Sequence, residues 1–94
     1  MSEPDLWIEP TARRHGIGDD DIRHALAHPG YVGDDPDAVD EGTPMTLILG
    51  PDRAGNRLEL AALLADDGTV VVVHAMSMRA KYTYLWPGER RSRP

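Results

Sequence analysis

The sequence predicts an α+β fold, in which two N-terminal helices pack on one face of a three- to four-stranded antiparallel meander sheet. The chain has 94 residues, enough for one hydrophobic core, so residues 1–94 are expected to form a single domain with a flexible tail at 89–94. A helical spacing of apolar residues near the N-terminus gives way to extended, β-branched segments after residue 44. The links between those segments are too short for a parallel crossover, which favours an antiparallel sheet.

Both predicted helices have recognisable ends. Pro10 suits the first turn of a helix that runs to His15, and Gly16 can adopt the left-handed conformation that ends it. The second helix, residues 19–28, begins with three aspartates, whose charges complement the exposed N–H groups of a first turn. Its apolar residues share one helical face, which predicts a stripe buried against the sheet: Ile22, Ala25 and Leu26.

The meander consists of three extended segments, residues 45–49, 57–64 and 69–76. Turn-forming residues separate them at 50–56 and 66–68. The last segment is so rich in valine that we expect it to be central or covered on both faces. An edge strand at Tyr31-Val32 and a short helix over residues 79–86 complete the predicted elements.

Composition excludes several classes of protein. The chain has no cysteine, which excludes a disulfide framework and a thiolate nucleophile. No apolar run is long enough to cross a bilayer, and the acidic N-terminus does not resemble a secretory signal. We therefore expect a cytoplasmic protein without a membrane partner.

The net charge of −6 is distributed unevenly. Residues 1–67 carry fifteen acidic and five basic side chains, whereas residues 68–94 carry one acidic and five basic side chains. Such asymmetry often separates a surface that repels polyanions from one that attracts them. The densest acidic segment, residues 34–42, is interpreted as a solvated loop because it lacks the spacing of a calcium-binding loop. His24 and His28 are spaced to share a metal, but no third ligand is evident, so no metal is predicted.

Three segments resemble the BrnT-like toxins of the RelE-type ribonuclease superfamily, which belong to bacterial toxin–antitoxin systems. The first is Ala12-Arg13-Arg14-His15-Gly16-Ile17, followed by the acid-capped helix. The second is the hairpin over residues 47–60, and the third is the strand end and basic segment over residues 73–82. The likeness extends from residue 8 to about residue 85, and the order and spacing of the three segments support it more than any single motif does.

This resemblance implies the toxin component of a type II toxin–antitoxin pair, a metal-independent endoribonuclease neutralised by a cognate antitoxin protein. In such an enzyme the 2′-hydroxyl of RNA attacks the adjacent phosphate, and the protein supplies cations and proton-transfer groups. No cofactor is implied. The residues of suitable type at the matching motifs are His74, Arg79, Lys81 and Tyr82 as catalytic groups and Arg13, Arg14 and His15 as RNA- or anion-binding groups.

Each of these residues also has a structural interpretation. Arg14 and His15 complement the end of a helix dipole, and His74 lies in the most apolar strand, as a core histidine would. Arg79 and Lys81 fit a solvated basic turn. A noncatalytic interaction module, acting through a protein partner or as a homodimer, is therefore the alternative. The net charge favours that module, whereas the cluster Arg79-Lys81-Tyr82, expected to lie near Arg14 and His15, favours the nuclease.

Overall fold

The structure, a computed structural model, describes residues 5–35 and 45–87. Within them lie five strands, one α-helix and two short 3₁₀ helices. In chain order these are β1 (Leu6–Ile8), an N-terminal 3₁₀ helix (Pro10–Arg13), α1 (Asp19–Ala27), β2 (Tyr31–Asp34), β3 (Thr46–Pro51), β4 (Arg57–Leu64), β5 (Val70–Ser77) and a C-terminal 3₁₀ helix (Ala80–Leu85). The tail predicted at 89–94 and most of the acidic loop predicted at 34–42 lie outside the described residues.

The sheet is mixed, with the strand order β1-β5-β4-β3-β2. The antiparallel pairing of the segments predicted at 45–49, 57–64 and 69–76 is confirmed, and β2 adds the expected edge strand. The predicted three- to four-stranded antiparallel sheet is nevertheless wrong, because β1 pairs in parallel with β5 at the other edge. A three-residue strand has too little periodicity to be recognised locally, and its partner lies more than sixty residues away in the chain.

The prediction of two N-terminal helices is also wrong, because only α1 is an α-helix. The segment that begins at Pro10 forms a 3₁₀ helix, in which the backbone N–H of Ala12 donates to the carbonyl of Glu9. Gly16 follows with a φ of 81°, as expected for a glycine that ends a helical segment. Too few residues lie between Pro10 and Gly16 to repay the cost of nucleating an α-helix.

Both faces of the sheet are covered, which differs from the expected packing on one face. α1 and the N-terminal 3₁₀ helix bury one face through the larger core cluster, which includes Ile22, Ala25, Leu60 and Val72. The C-terminal 3₁₀ helix packs on the opposite face, where Tyr82 contacts a smaller cluster that contains Leu47 and Leu49. We call this second face the Tyr82 face. No helix among the described residues is long and apolar enough to cross a membrane.

α1 lies unusually close to β3 at Gly50. A Cβ atom built on this buried glycine would lie 2.5 Å from the carbonyl oxygen of Ala25 and 3.1 Å from its Cα. Both are backbone atoms, so they cannot rotate away as a side chain could. Gly50 therefore sets the distance at which the helix packs on the sheet.

We expect Gly50→Ala to lower the free energy of unfolding by about 1–3 kcal/mol, because the added methyl group must push α1 away from β3. Gly18→Ala is the matched control, since its φ is −73° and no atom lies within 4 Å of the added Cβ. Urea denaturation of both variants checks the expectation. Equal midpoints for the two variants would show that the close packing at Gly50 does not constrain the fold.

Candidate functional site

A buried carboxylate lies at the centre of the Tyr82 face. Glu59, in the middle of β4, has only 1% of its surface exposed. Its carboxylate accepts hydrogen bonds from the backbone N–H of Arg79 at 2.9 Å and from the Nη2 of that guanidinium at 2.6 Å. The Nε of Arg79 lies 3.1 Å from both carboxylate oxygens, and Nε2 of His74 lies 3.1 Å from Oε2. Glu59 thus holds two of the predicted catalytic side chains together.

These contacts keep Glu59 ionised. Burial alone raises the pKa of its carboxyl group, because a charge is less stable away from water. Hydrogen bonds from Arg79 and His74 outweigh that effect, so the pKa of Glu59 lies below its ordinary value. At neutral pH the side chain is therefore a carboxylate, which can accept hydrogen bonds but cannot donate one.

A β-bulge places His74 on the same face as Glu59. The register between β4 and β5 shifts at Ala61 and Ala62, which pair with His74 and Val72, so Val73 is the extra residue. Without the shift, strict alternation from buried Val72 would direct His74 into the core beneath α1. The bulge instead gives that inward position to Ala75, and His74 becomes the diagonal neighbour of Glu59.

The remaining predicted catalytic residues follow the end of β5. Arg79 precedes the C-terminal 3₁₀ helix, and its guanidinium carbon lies 5.8 Å from the centre of the Tyr82 ring. The ammonium nitrogen of Lys81 lies 5.1 Å from the same ring. Only 3% of the surface of Tyr82 is exposed, so its main contribution is the aromatic ring that the two cations contact.

All four predicted catalytic residues line one cavity of about 250 Å³ on the Tyr82 face. Glu59 forms part of its wall, as do apolar side chains of β3, β4 and β5. Asp35 and Met45, on either side of the segment that is not described, complete the lining.

His15 reaches the same region from the N-terminal 3₁₀ helix. The hydroxyl of Thr11 donates to the carbonyl of Val73 at 3.0 Å and so attaches this helix to β5 beside the bulge. The ring centres of His15 and His74 are 5.8 Å apart, with an edge-to-face angle of 79°. The structure therefore brings two imidazoles, a guanidinium and an ammonium group close to one another.

Arg13 and Arg14 are not brought into this group. The guanidinium of Arg13 donates two hydrogen bonds of 3.0 Å to Asp19, at the start of α1. The hydrogen bond and charge of Asp19 raise the pKa of Arg13 further, and the guanidinium lowers the pKa of Asp19. Arg14 is exposed, and neither arginine lines the cavity.

A second cavity, of about 780 Å³, lies between α1 and the β1 edge, outside the region that contains the predicted site. His24 and His28 are among its lining residues, with their ring centres 4.5 Å apart. Nδ1 of His24 lies 2.9 Å from the carbonyl oxygen of Pro51, so this ring is fixed by the end of β3. Across residues 5–35 and 45–87, no group of three or more metal-binding side chains is close enough to hold an ion.

The ionised state of Glu59 makes folding stability depend on pH. Because its pKa in the folded state lies below the ordinary value of 4.5, the associated stabilisation is complete above that value and decreases as the pH falls through the folded pKa. We expect Glu59→Gln to remove this part of the dependence. Melting temperatures measured from about pH 7 to about pH 3 should fall more steeply for the wild type than for the variant. Parallel curves would contradict the assignment of a buried, ionised Glu59.

Comparison of the chain with protein-family models, curated proteins and solved structures gave no match.

Proposed function

We propose that this chain is a metal-independent endoribonuclease that acts in the cytoplasm as the toxin component of a toxin–antitoxin pair. The observation that carries the proposal is the gathering of His74, Arg79 and Lys81 around one cavity, with Glu59 buried behind them and the ring of His15 5.8 Å from that of His74. Side chains of these types satisfy the separate chemical requirements of RNA cleavage without a metal.

The reaction needs two proton transfers. The 2′-oxygen of a ribose attacks the adjacent phosphorus, the bond from phosphorus to the 5′-oxygen breaks, and the products are a 2′,3′-cyclic phosphate and a 5′-hydroxyl. A base removes the proton of the 2′-hydroxyl, and an acid gives a proton to the departing 5′-oxygen. Imidazole performs both tasks near neutral pH, so the neighbouring rings of His15 and His74 can act as this pair.

The reaction also concentrates negative charge on the phosphate oxygens. Arg79 and Lys81 supply two cations at the cavity, and both lie near the face of Tyr82. Because the backbone and side chain of Arg79 are bonded to buried Glu59, its guanidinium is held in place before substrate binds. Such fixed charges stabilise a transition state more than mobile ones, because they need no reorganisation during the reaction.

A noncatalytic interaction module is the second candidate. The net charge of −6 opposes attraction of RNA, and large apolar side chains are exposed at Trp7 and Tyr84, as at many protein interfaces. Such a module would act through a protein partner or as a homodimer. It requires no proton-transfer groups, so substitution of His15 or His74 would leave its function intact.

We expect purified protein to cleave single-stranded RNA in the presence of EDTA and to leave 2′,3′-cyclic phosphate ends. His15→Ala should lower the rate by about 10²–10⁴-fold, since one proton-transfer group is lost. Lys81→Ala should lower it by about 10²–10³-fold, as for the loss of one group that stabilises transition-state charge. Rates are measured with a labelled RNA oligonucleotide and gel separation of the products.

Arg23→Ala is the matched control, because it removes an exposed cation of α1 on the other face of the sheet. It should retain the wild-type rate. Arg79→Ala is a poor test of catalysis, because it would leave the buried carboxylate of Glu59 without its main partner and destabilise the fold. Intact RNA with the wild-type protein, together with normal growth when it is overexpressed, would overturn the nuclease and support the interaction module.

A further inference from the structure

We propose that Glu59 is a positioning residue that fixes the orientation and tautomer of His74, so that Nδ1 is the ring nitrogen that exchanges a proton with RNA. The assignment of a reacting nitrogen depends on the nuclease function proposed above. The tautomer itself is a property of the free protein and can be measured without substrate.

Glu59 offers His74 only hydrogen-bond acceptors. Glu59 is an ionised carboxylate, and it lies 3.1 Å from Nε2 of His74. A carboxylate can only accept, so Nε2 must carry the proton and donate it. A neutral imidazole has a single N–H, which leaves the lone pair on Nδ1.

In the proposed reaction, the ring of His74 alternates between its neutral and its protonated form. When His74 takes up a proton, it becomes an imidazolium with N–H groups at both nitrogens. The Nε2–H bond to Glu59 is retained and strengthened by the new charge. Proton uptake and release therefore take place at Nδ1, while Nε2 anchors the ring.

Arg79 donates to the same carboxylate as His74. Oε1 of Glu59 accepts from the backbone N–H of Arg79, and Oε2 accepts from both Nη2 of Arg79 and Nε2 of His74. The imidazole and the guanidinium are thus fixed relative to each other by one buried group. Such shared second partners commonly orient catalytic side chains, because they remove the freedom of the ring to rotate.

His24 provides a comparison within the same protein, because its ring is expected to adopt the opposite tautomer to that of His74. Its Nδ1 lies 2.9 Å from the carbonyl oxygen of Pro51, and a carbonyl also only accepts. His24 must therefore carry its proton on Nδ1, opposite to the arrangement at His74. One spectrum of the same protein can report both tautomers.

The test is a long-range ¹H–¹⁵N correlation spectrum of the histidine rings, recorded at about pH 8.5, where imidazole is ordinarily neutral. We expect His74 in the Nε2–H form, with a ring N–H proton protected from exchange with water, and His24 in the Nδ1–H form. A His74 ring in the Nδ1–H form, or one that populates both forms, would overturn the proposal whether or not the protein cleaves RNA.

Glu59→Gln tests the positioning role directly. The glutamine amide presents an NH₂ group where one carboxylate oxygen accepted hydrogen bonds, so it cannot satisfy all the donors of Arg79 and His74. We expect the protected ring proton of His74 to disappear and the cleavage rate to fall by about 10-fold or more, as when the outer partner of a ligating or catalytic group is lost. The His24 signals should not change.

Glu9→Gln is the matched control, because Glu9 is another glutamate that accepts from a ring N–H, that of Trp7 at 3.1 Å, and does so at an exposed site. It should keep both the His74 signal and the cleavage rate. If Glu59→Gln fails to fold, the wild-type spectrum decides the tautomer. A wild-type protein with the expected His74 spectrum but no cleavage would overturn the nuclease function and, with it, the catalytic assignment of Nδ1. A Glu59→Gln variant that folds and keeps the protected His74 proton would overturn the positioning role.

Discussion

The ion pair between buried Glu59 and Arg79 is the constraint on which the Tyr82 face depends. A carboxylate removed from water is costly unless charged donors surround it, and here a guanidinium, a backbone N–H and an imidazole do so. Because the backbone N–H of Arg79 also donates to the carboxylate, Glu59 fixes the main chain at Arg79 as well as the guanidinium. The C-terminal 3₁₀ helix begins at the next residue, so the position of Tyr82 over Leu47 and Leu49 follows from this contact.

The same interaction explains why the β-bulge at Val73 matters. A regular β5 would bury His74 beneath α1, where an imidazole would need a different acceptor and would not line the cavity. One additional residue transfers His74 to the Tyr82 face and leaves Val72 and Ala75 in the core. The N-terminal 3₁₀ helix then lies beside the bulge and carries His15 within reach of His74. Fold and site are therefore linked through a single irregularity in one strand.

Sequence patterns predicted the elements that local interactions determine. The aspartates at the start of α1, the left-handed glycine at position 16 and the turns of the meander all act within a few residues of the chain. β1 was missed because its parallel partner is remote, and the covering of both sheet faces depends on how the C-terminal segment folds back. Long-range packing of this kind leaves no local period in the sequence.

The same distinction between local and long-range interactions applies to the candidate site. Proximity of the histidine after the first helical segment to the basic end of β5 was expected, and His15 and His74 do lie close together. Arg13 was assigned to the site because a cation at this position matches the motif of the family resemblance, whereas the structure pairs it with Asp19. Glu59 was missed because a charged residue in a strand ordinarily faces solvent, and its burial depends on an arginine twenty residues later in the chain. Arg57 and Glu59 alternate with Leu58 and Leu60, a pattern that predicts an exposed rather than a buried Glu59.

The charges at the cavity also bear on the conflict between an acidic protein and a polyanionic substrate. Glu59 and Asp35 formally balance Arg79 and Lys81, so the acidic and basic side chains that line the cavity cancel in charge. The proposed nuclease would therefore gain little from electrostatic attraction of RNA at this site. A site of this composition depends on accurately held proton-transfer groups more than on a general basic surface. In the proposed nuclease, the net charge of −6 would be compatible with cleavage, because the site would stabilise the transition state rather than bind nucleic acid in general.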